Sequence, residues 1–183
     1  MKKDDLLLVI DMQNVYKKGG KWEGLDTEGA AANINKIIDS GMENVIFTRF
    51  IANEENPSGV WKDYNVKYAA VNADSYANQM VDELSEPLKK FPLYTKGVYS
   101  SLAIPEVMAA AKKAGRVVVT GVVAECCVLS TVLALMDEGI YVVYLTDGVS
   151  GLDIPKEEAT KLIFSGLSPL HVSMMTTAEY LKE

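Results

Sequence analysis

The segment Val117–Val128 constrains the fold more than any other part of the chain, because a short apolar run leads there through a turn into a second apolar segment. Its first three residues are consecutive valines, which is typical of a strand buried on both faces. The residues from Cys127 to Met136 are apolar on nearly every side and indicate a helix that Gly139 ends. A strand, a tight turn and a helix in this order predict an α/β fold.

The same segment places two adjacent cysteines, Cys126 and Cys127, at the start of the predicted helix. The first turn of a helix has unpaired N–H groups and the positive end of the helix dipole, so a thiol there ionises more easily and has amide donors beside it. The residues alone leave two interpretations open. Either thiol could be catalytic, or both could be small buried hydrophobes, as free cysteines most often are.

Two further apolar runs end in charged residues. Leu6–Ile10 predicts a buried strand that stops at Asp11, and the extended run that begins at Phe91 ends in Lys96. Ligands of open α/β sheets bind at the carboxyl ends of the strands. If these ends are neighbours of the turn before Cys127, one pocket contains a carboxylate, an ammonium group and a thiol.

The rest of the chain alternates between predicted helices and strands, without a repeat or a linker. We expect residues 1–183 to form one doubly wound α/β domain, with helices on both faces of a parallel sheet. Within the helix expected in 72–90, Met80, Val81 and Leu84 should face inward. The remaining predicted elements are helices at 27–40, 105–115 and 155–164 and strands at 45–47, 140–145 and 171–175.

The composition sets limits on partners and location. With 183 residues, 49% of them hydrophobic, the chain is long enough for one full core. A net charge of −7 without a basic cluster argues against a nucleic-acid partner. No apolar stretch approaches the length of a membrane span, and the start of the chain lacks the apolar core of a signal peptide. We expect a cytoplasmic protein without a membrane partner.

Together the motifs resemble those of the isochorismatase-like cysteine hydrolases, the superfamily of nicotinamidases, N-carbamoylsarcosine amidohydrolases and ureidoacrylate amidohydrolases. The first matching motif is a strand that ends in Asp-x-Gln, at Asp11 and Gln13. The second is the lysine Lys96, followed four residues later by a serine, although leucine replaces the aromatic residue expected at position 102. The third, Gly-Val-x-Ala-Glu-x-Cys-Val, begins at Gly121 and selects Cys127 over its neighbour as nucleophile.

The resemblance implies a six-stranded sheet of order 3-2-1-4-5-6 and a catalytic triad. Asp11 would accept the thiol proton of Cys127, and Lys96 would stabilise the thiolate. The thiolate would attack the carbonyl carbon of a small amide, carbamoyl or ureido substrate and form a thioester. Family geometry also implies a cis peptide bond between Val122 and Val123, and an oxyanion hole formed by the backbone N–H groups of Val123 and Cys127.

Aromatic residues after the predicted strand ends favour a pocket for a small planar ligand. Arg49 either pairs with a substrate carboxylate or forms a structural salt bridge. The long connection around Pro57 is of a length that often forms a lid. The candidate substrate-facing residues, each also compatible with ordinary packing, are Gln13, Tyr16, Trp22, Trp61, Tyr64, Tyr99 and Ala124.

Metal and cofactor sites are not expected. The chain contains one histidine, His171, which is predicted to open the last strand, far from Cys127. This argues against a Cys–His dyad and against the histidine-ligated metal of nicotinamidases, so nicotinamide as the substrate is put in doubt. Glu54 and Glu55 could ligate a hard cation, but such a pair in a polar loop is usually solvated.

Other functional classes fit less well. A dinucleotide-binding domain needs a Gly-rich turn after its first strand, where the chain has Asp11–Asn14. A phosphoryl-transfer enzyme with Asp11 as nucleophile would need a second carboxylate at Gln13. Isochorismatase-type hydrolysis of another small metabolite, and redox sensing by Cys126 and Cys127, stay open as alternatives. The resemblance further implies a homo-oligomer, either a dimer or a tetramer.

Overall fold

Strand β1 (Asp5–Ile10) lies at the centre of the sheet, as expected for a strand whose residues are all buried. The computed structural model describes residues 2–183. The other strands are β2 (Val45–Phe50), β3 (Leu93–Lys96), β4 (Arg116–Val122), β5 (Val142–Ser150) and β6 (Val172–Met175). They form a six-stranded sheet of order β3-β2-β1-β4-β5-β6 in which every pairing is parallel. The expected topology is confirmed.

Helices cover both faces of this sheet. They are α1 (Thr27–Asp39), α2 (Trp61–Lys67), α3 (Ala69–Asn72), α4 (Ser85–Leu88), α5 (Pro105–Lys113), α6 (Leu129–Asp137), α7 (Ile154–Ser165) and α8 (Thr177–Tyr180). Side chains of β1 alternate between two cores: Leu8 packs with residues of α5, α6 and α7, and Val9 packs with residues of α1 and α8. Within residues 2–183, no helix is both long enough and apolar enough to cross a bilayer.

A glycine brings β4 close to the end of β1. Gly121 pairs with Ile10 in the sheet and has a φ of +108°. A Cβ atom at Gly121 would lie 2.0 Å from the carbonyl oxygen of Ile10, so only glycine fits. The residues that follow these two strands, Asp11 and the turn after β4, therefore emerge side by side at the carboxyl edge.

The helix predicted within residues 72–90 is confirmed only in part, because the structure has a 3-10 turn at Asp82–Leu84 and the short helix α4 there, and Met80 and Val81 lie before them. Asp74 accepts hydrogen bonds from the N–H groups two and three residues later, both at 3.0 Å, and this local turn competes with a helix. Val81 then donates its N–H to the turn after β1 at 2.9 Å. Val81 and Leu84 are buried, whereas Met80 is only partly buried, so the apolar spacing predicted burial better than it predicted conformation.

Candidate active site

A carboxylate and an ammonium group form a buried ion pair at the carboxyl edge of the sheet. Asp11 follows β1, and Lys96 is the last residue of β3. Lys96 Nζ lies 2.6 Å from Asp11 Oδ2, and the two side chains are 1% and 0% exposed. Burial lowers the pKa of Lys96, but the negative charge of Asp11 opposes this and the net shift is upward. The ammonium group therefore stays protonated, and it also donates to the carbonyl oxygen of Val98 at 3.1 Å.

The backbone at Asp11 makes a sharp turn directly after the strand. Its φ is +52°, which is uncommon for a residue other than glycine and is best tolerated by short polar residues. The Asp11 N–H still donates to the carbonyl of Thr48 at 3.0 Å, and its carbonyl accepts from the Gln13 N–H at 2.7 Å. Such outliers concentrate at functional sites, where the surrounding structure holds them.

Cys127 lies in a single π-helical turn, Ala124–Val128, between β4 and α6. The N–H groups of Cys126 and Val128 both donate to the carbonyl oxygen of Val123, at 3.1 and 3.2 Å. A π-helical turn at the end of a helix often accompanies a functional site. The peptide bond just before this turn, between Val122 and Val123, is cis.

The thiol of Cys127 completes a cluster with the ion pair. It lies close enough to Asp11 and Lys96 for both charges to act on its ionisation, and the residue is 3% exposed. Burial raises the pKa of Cys127 well above its usual range, the charge of Asp11 raises it further, and Lys96 offsets part of the increase. The protein at neutral pH therefore holds a neutral thiol. Position at the start of a helix does not by itself ionise it, so a proton acceptor such as Asp11 is needed.

A chain of fully buried hydroxyl groups links both sides of this cluster. Thr48 Oγ1 donates to Asp11 Oδ1 at 3.0 Å and lies 3.2 Å from the hydroxyl of Ser101. Since a carboxylate only accepts, Thr48 donates to Asp11 and Ser101 donates to Thr48. The Ser101 N–H donates to Thr131 Oγ1 at 2.9 Å, and that hydroxyl donates to the carbonyl of Cys127 at 2.7 Å. Thr48 was not among the site residues predicted from the sequence. The one feature that marks it is its pairing with Ile10, the last residue of β1.

A cavity of about 160 Å³ opens onto the thiol. Its wall consists of Tyr16, Trp22, Phe50, Tyr64, Tyr68, Tyr99, Val123, Cys126, Cys127 and Leu152. The rings contact one another, for example Phe50 with Tyr64 at 5.9 Å and Tyr64 with Tyr68 at 4.7 Å between centroids. The candidates Tyr16, Trp22, Tyr64 and Tyr99 are thus brought together, while Phe50, Tyr68 and Leu152 were missed.

The structure places other candidates outside this wall. Gln13 uses its amide to join two segments: Nε2 donates to the carbonyls of Phe50 and Asn78, both at 3.0 Å, and Oε1 accepts from the Phe50 N–H at 2.8 Å. Ala124 is fully buried. Trp61 lies behind the wall, with its ring 5.0 Å from that of Tyr99, and lines a neighbouring cavity of about 310 Å³.

The charged and metal-ligating candidates also lie elsewhere. Arg49 donates from Nε to Thr95 Oγ1 at 2.9 Å and does not line the cavity. His171 is exposed just before β6, the outer strand of the sheet. Glu54 and Glu55 are exposed. Among the residues from 2 to 183, His, Cys, Asp and Glu side chains form no group of three or more that could hold a metal ion.

Comparisons with known proteins agree with this architecture. The family model described as the isochorismatase domain matches residues 5–179. A cysteine hydrolase from Pseudomonas syringae pv. phaseolicola 1448A is 19% identical, with a TM-score of 0.82 over 98% of this chain and 91% of that chain. An isochorismatase-like hydrolase from Alkaliphilus metalliredigens is 18% identical, with a TM-score of 0.76 over 98% of each chain.

A third similar structure belongs to a longer protein. The MAR1 ribonuclease from Caenorhabditis elegans is 19% identical, with a TM-score of 0.73 over 97% of this chain and 79% of that chain. At such identities these structures show a shared fold and no more. A comparison with curated protein sequences gave no significant match.

Proposed function

Because the chain belongs to the isochorismatase domain family, we propose that it is a cysteine hydrolase that cleaves the C–N bond of a small amide, carbamoyl or ureido compound. The observation that carries the proposal is the position of the Cys127 thiol beneath a cavity, beside the buried Asp11–Lys96 ion pair whose charges act on it. A nucleophile, an acceptor for its proton and a cation are what acyl transfer through a thioester needs.

In the acylation step, Asp11 takes the thiol proton of Cys127 and the ammonium group of Lys96 stabilises the thiolate. The sulfur then forms a bond to the substrate carbonyl carbon, whose π electrons move onto oxygen. As the tetrahedral intermediate collapses, the C–N bond breaks and the protonated Asp11 gives its proton to the leaving nitrogen. The products of this half-reaction are a thioester on Cys127 and a free amine or ammonia.

The intermediate requires donors for its oxyanion. We assign the backbone N–H groups of Val123 and Cys127 to this role. In support, Val123 lines the cavity beside the thiol. The N–H groups of Cys126 and Val128, on either side of Cys127, both donate to the carbonyl oxygen of Val123, so these two groups are not the donors to the oxyanion. Each such donor lowers a reaction barrier by roughly 3–4 kcal/mol.

In the second half-reaction, the Asp11 carboxylate takes a proton from a water molecule that attacks the thioester. The C–S bond breaks, the acid product leaves, and the proton on Asp11 returns to the sulfur of Cys127. Asp11 thus alternates between base and acid, and Lys96 keeps its charge and position throughout.

The test is release of ammonia or amine from a panel of small amides, N-carbamoyl compounds and ureides by the purified protein. Cys127→Ala should reduce turnover at least about a thousandfold, because the nucleophile is lost. Cys126→Ala is the matched variant and should stay within about tenfold of wild type, a loss of no more than ~1.4 kcal/mol. Full activity of Cys127→Ala would end the proposal, and equal loss in both variants would remove the basis for choosing Cys127.

A further inference from the structure

We infer that the substrate is uncharged: the cavity takes a small flat amide or ureide and rejects the same compound bearing a carboxylate. This narrows the proposed function and rests on it. The first observation is the wall itself, which contains aromatic, aliphatic and thiol side chains and no charged one. An anion that enters such a wall loses its hydration without gaining a partner of opposite charge.

The nearby cations are already committed or lie outside the wall. Lys96 donates to Asp11 and to the carbonyl oxygen of Val98 and does not line the cavity. Lys67 is exposed and lies over the ring of Tyr68, 5.3 Å from its centroid. Lys156, which acts on Cys126 by its charge, is exposed and paired with Asp153. None of these three lysines lines the cavity, so a carboxylate inside it meets no partner of opposite charge in the wall.

The charges of the triad do not attract an anion either. At rest the site contains one carboxylate, one ammonium group and a neutral thiol, so its formal charge is zero. Transfer of the thiol proton to Asp11 creates a thiolate and removes the carboxylate charge, which leaves the sum unchanged. The ammonium group of Lys96 is therefore balanced in both states.

Uncharged polar groups complete the recognition chemistry. Tyr16, Tyr64, Tyr68 and Tyr99 line the cavity, and within residues 2–183 their hydroxyls make no hydrogen bond. Burial raises the pKa of Tyr16 and Tyr64 well above the usual value, so these phenols stay neutral. A neutral phenol both donates and accepts, which suits the N–H and C=O groups of an amide or ureide.

The size of the cavity limits the ligand. A volume of about 160 Å³ is comparable to cavities that accept a single six-membered ring. The facing aromatic rings favour a flat shape, because stacked and edge-to-face contacts need a planar partner.

The direct test compares iodoacetamide with iodoacetate, two alkylating reagents of nearly equal size that differ by one charge. Cys126→Ser removes the second thiol, and alkylation of Cys127 is followed by mass spectrometry. We expect the rate ratio of iodoacetamide to iodoacetate to exceed the ratio for glutathione at least tenfold. An equal or smaller ratio would overturn the inference, as would failure of both reagents to reach Cys127.

The second test uses matched substrates: a planar aromatic amide and the same amide with a carboxylate on its ring. Faster turnover of the uncharged amide supports the inference. Tyr68→Arg adds a cation to the wall and should reduce the preference for the uncharged amide over the charged one, whereas Tyr68→Phe should leave this preference unchanged. Faster turnover of the charged member overturns the inference while leaving the proposed function intact. If neither of these amides nor any other compound of the panel is hydrolysed, the proposed function fails. The ratio of the two alkylation rates then still decides whether the cavity prefers an uncharged ligand.

Discussion

Asp11 and Lys96 form an ion pair whose charges both act on the thiol of Cys127, so substitutions of the two charged residues should not act independently. Asp11→Asn and Lys96→Met are each expected to reduce turnover about a hundredfold or more, the scale of general acid–base catalysis. The double variant should be little worse than the slower single variant, because both residues serve one step. Steady-state kinetics measure this, with circular dichroism to verify folding. If Lys96→Met kept the wild-type turnover and pH profile, the assignment of Lys96 as the cation that stabilises the thiolate would be contradicted.

The hydroxyl of Thr48 should matter for the rate more than for binding. Thr48→Val keeps the shape of the side chain but leaves Asp11 Oδ1 without its donor. We expect kcat to fall about tenfold, equivalent to ~1.4 kcal/mol, with KM nearly unchanged. Thr48→Ser keeps the hydroxyl and should recover most of the rate. A larger loss in Thr48→Ser than in Thr48→Val would show that packing of the methyl group matters instead.

At the scale of elements, helices α2 and α3 are attached loosely, because neither contains a buried residue. Helix α1, by contrast, buries Ile34 and Ile37 in the core. Local opening costs little where few apolar contacts are lost. Amide hydrogen exchange should therefore be at least about a hundredfold faster in residues 61–72 than in α1. Equal protection of the two segments would mean that the aromatic contacts of Trp61, Tyr64 and Tyr68 hold them as firmly as a core.

Elements with continuous apolar sequences were predictable, and the residues at their ends followed from them. The strand before Asp11 and the strand before the cysteines were evident from their valines, leucines and isoleucines alone. The order of the six strands came only with the family resemblance, since nothing in one apolar run specifies its neighbour. The π-helical turn was not predicted, because the sequence there is compatible with an ordinary helix start.

The contents of the pocket were only partly predictable for a related reason. The role of Gln13 depends on backbone groups 37 and 65 positions away, at Phe50 and Asn78, and local patterns carry no information about such partners. The hydroxyl chain through Thr48 and Ser101 likewise joins residues 53 positions apart. Tyr68 lies at the junction of α2 and α3, where no periodicity indicates which way it faces.

At the scale of the whole molecule, the edge of the sheet opposite the site is held by a buried ion pair. Arg116 at the start of β4 donates to both carboxylate oxygens of Asp5 at the start of β1, at 2.8 and 2.9 Å. Tyr180 donates to the same carboxylate at 2.9 Å, and Glu183 also pairs with Arg116. Burial works to raise the pKa of Asp5, but these hydrogen bonds outweigh it, and the pKa is lowered from 3.8.

A lowered pKa in the folded state means that the unfolded state binds the proton more readily. The stabilisation from Asp5 is thus complete above its unfolded value of 3.8 and is lost as the pH falls through the lower folded value. Asp5→Asn should reduce the free energy of unfolding by about 2 kcal/mol at pH 7, and by progressively less below pH ~4. Urea unfolding of both proteins across this range measures the difference. A deficit that grows as the pH falls would contradict this sign.

Each side of the sheet is built from strands that are consecutive along the chain. Strands β1 to β3 come from residues 5–96 and β4 to β6 from residues 116–175, and within the sheet these two sets of strands meet where β1 pairs with β4. Asp11 and Lys96 belong to the segment that contains β1 to β3, and Cys127 belongs to the segment that contains β4 to β6. A break in the connection near Ser100 would therefore leave an acid–cation fragment and a thiol fragment, each chemically incomplete. Reassembly of the two fragments could be followed by the return of catalysis. The connection near Ser100 is therefore a suitable site at which to split the chain for a complementation reporter.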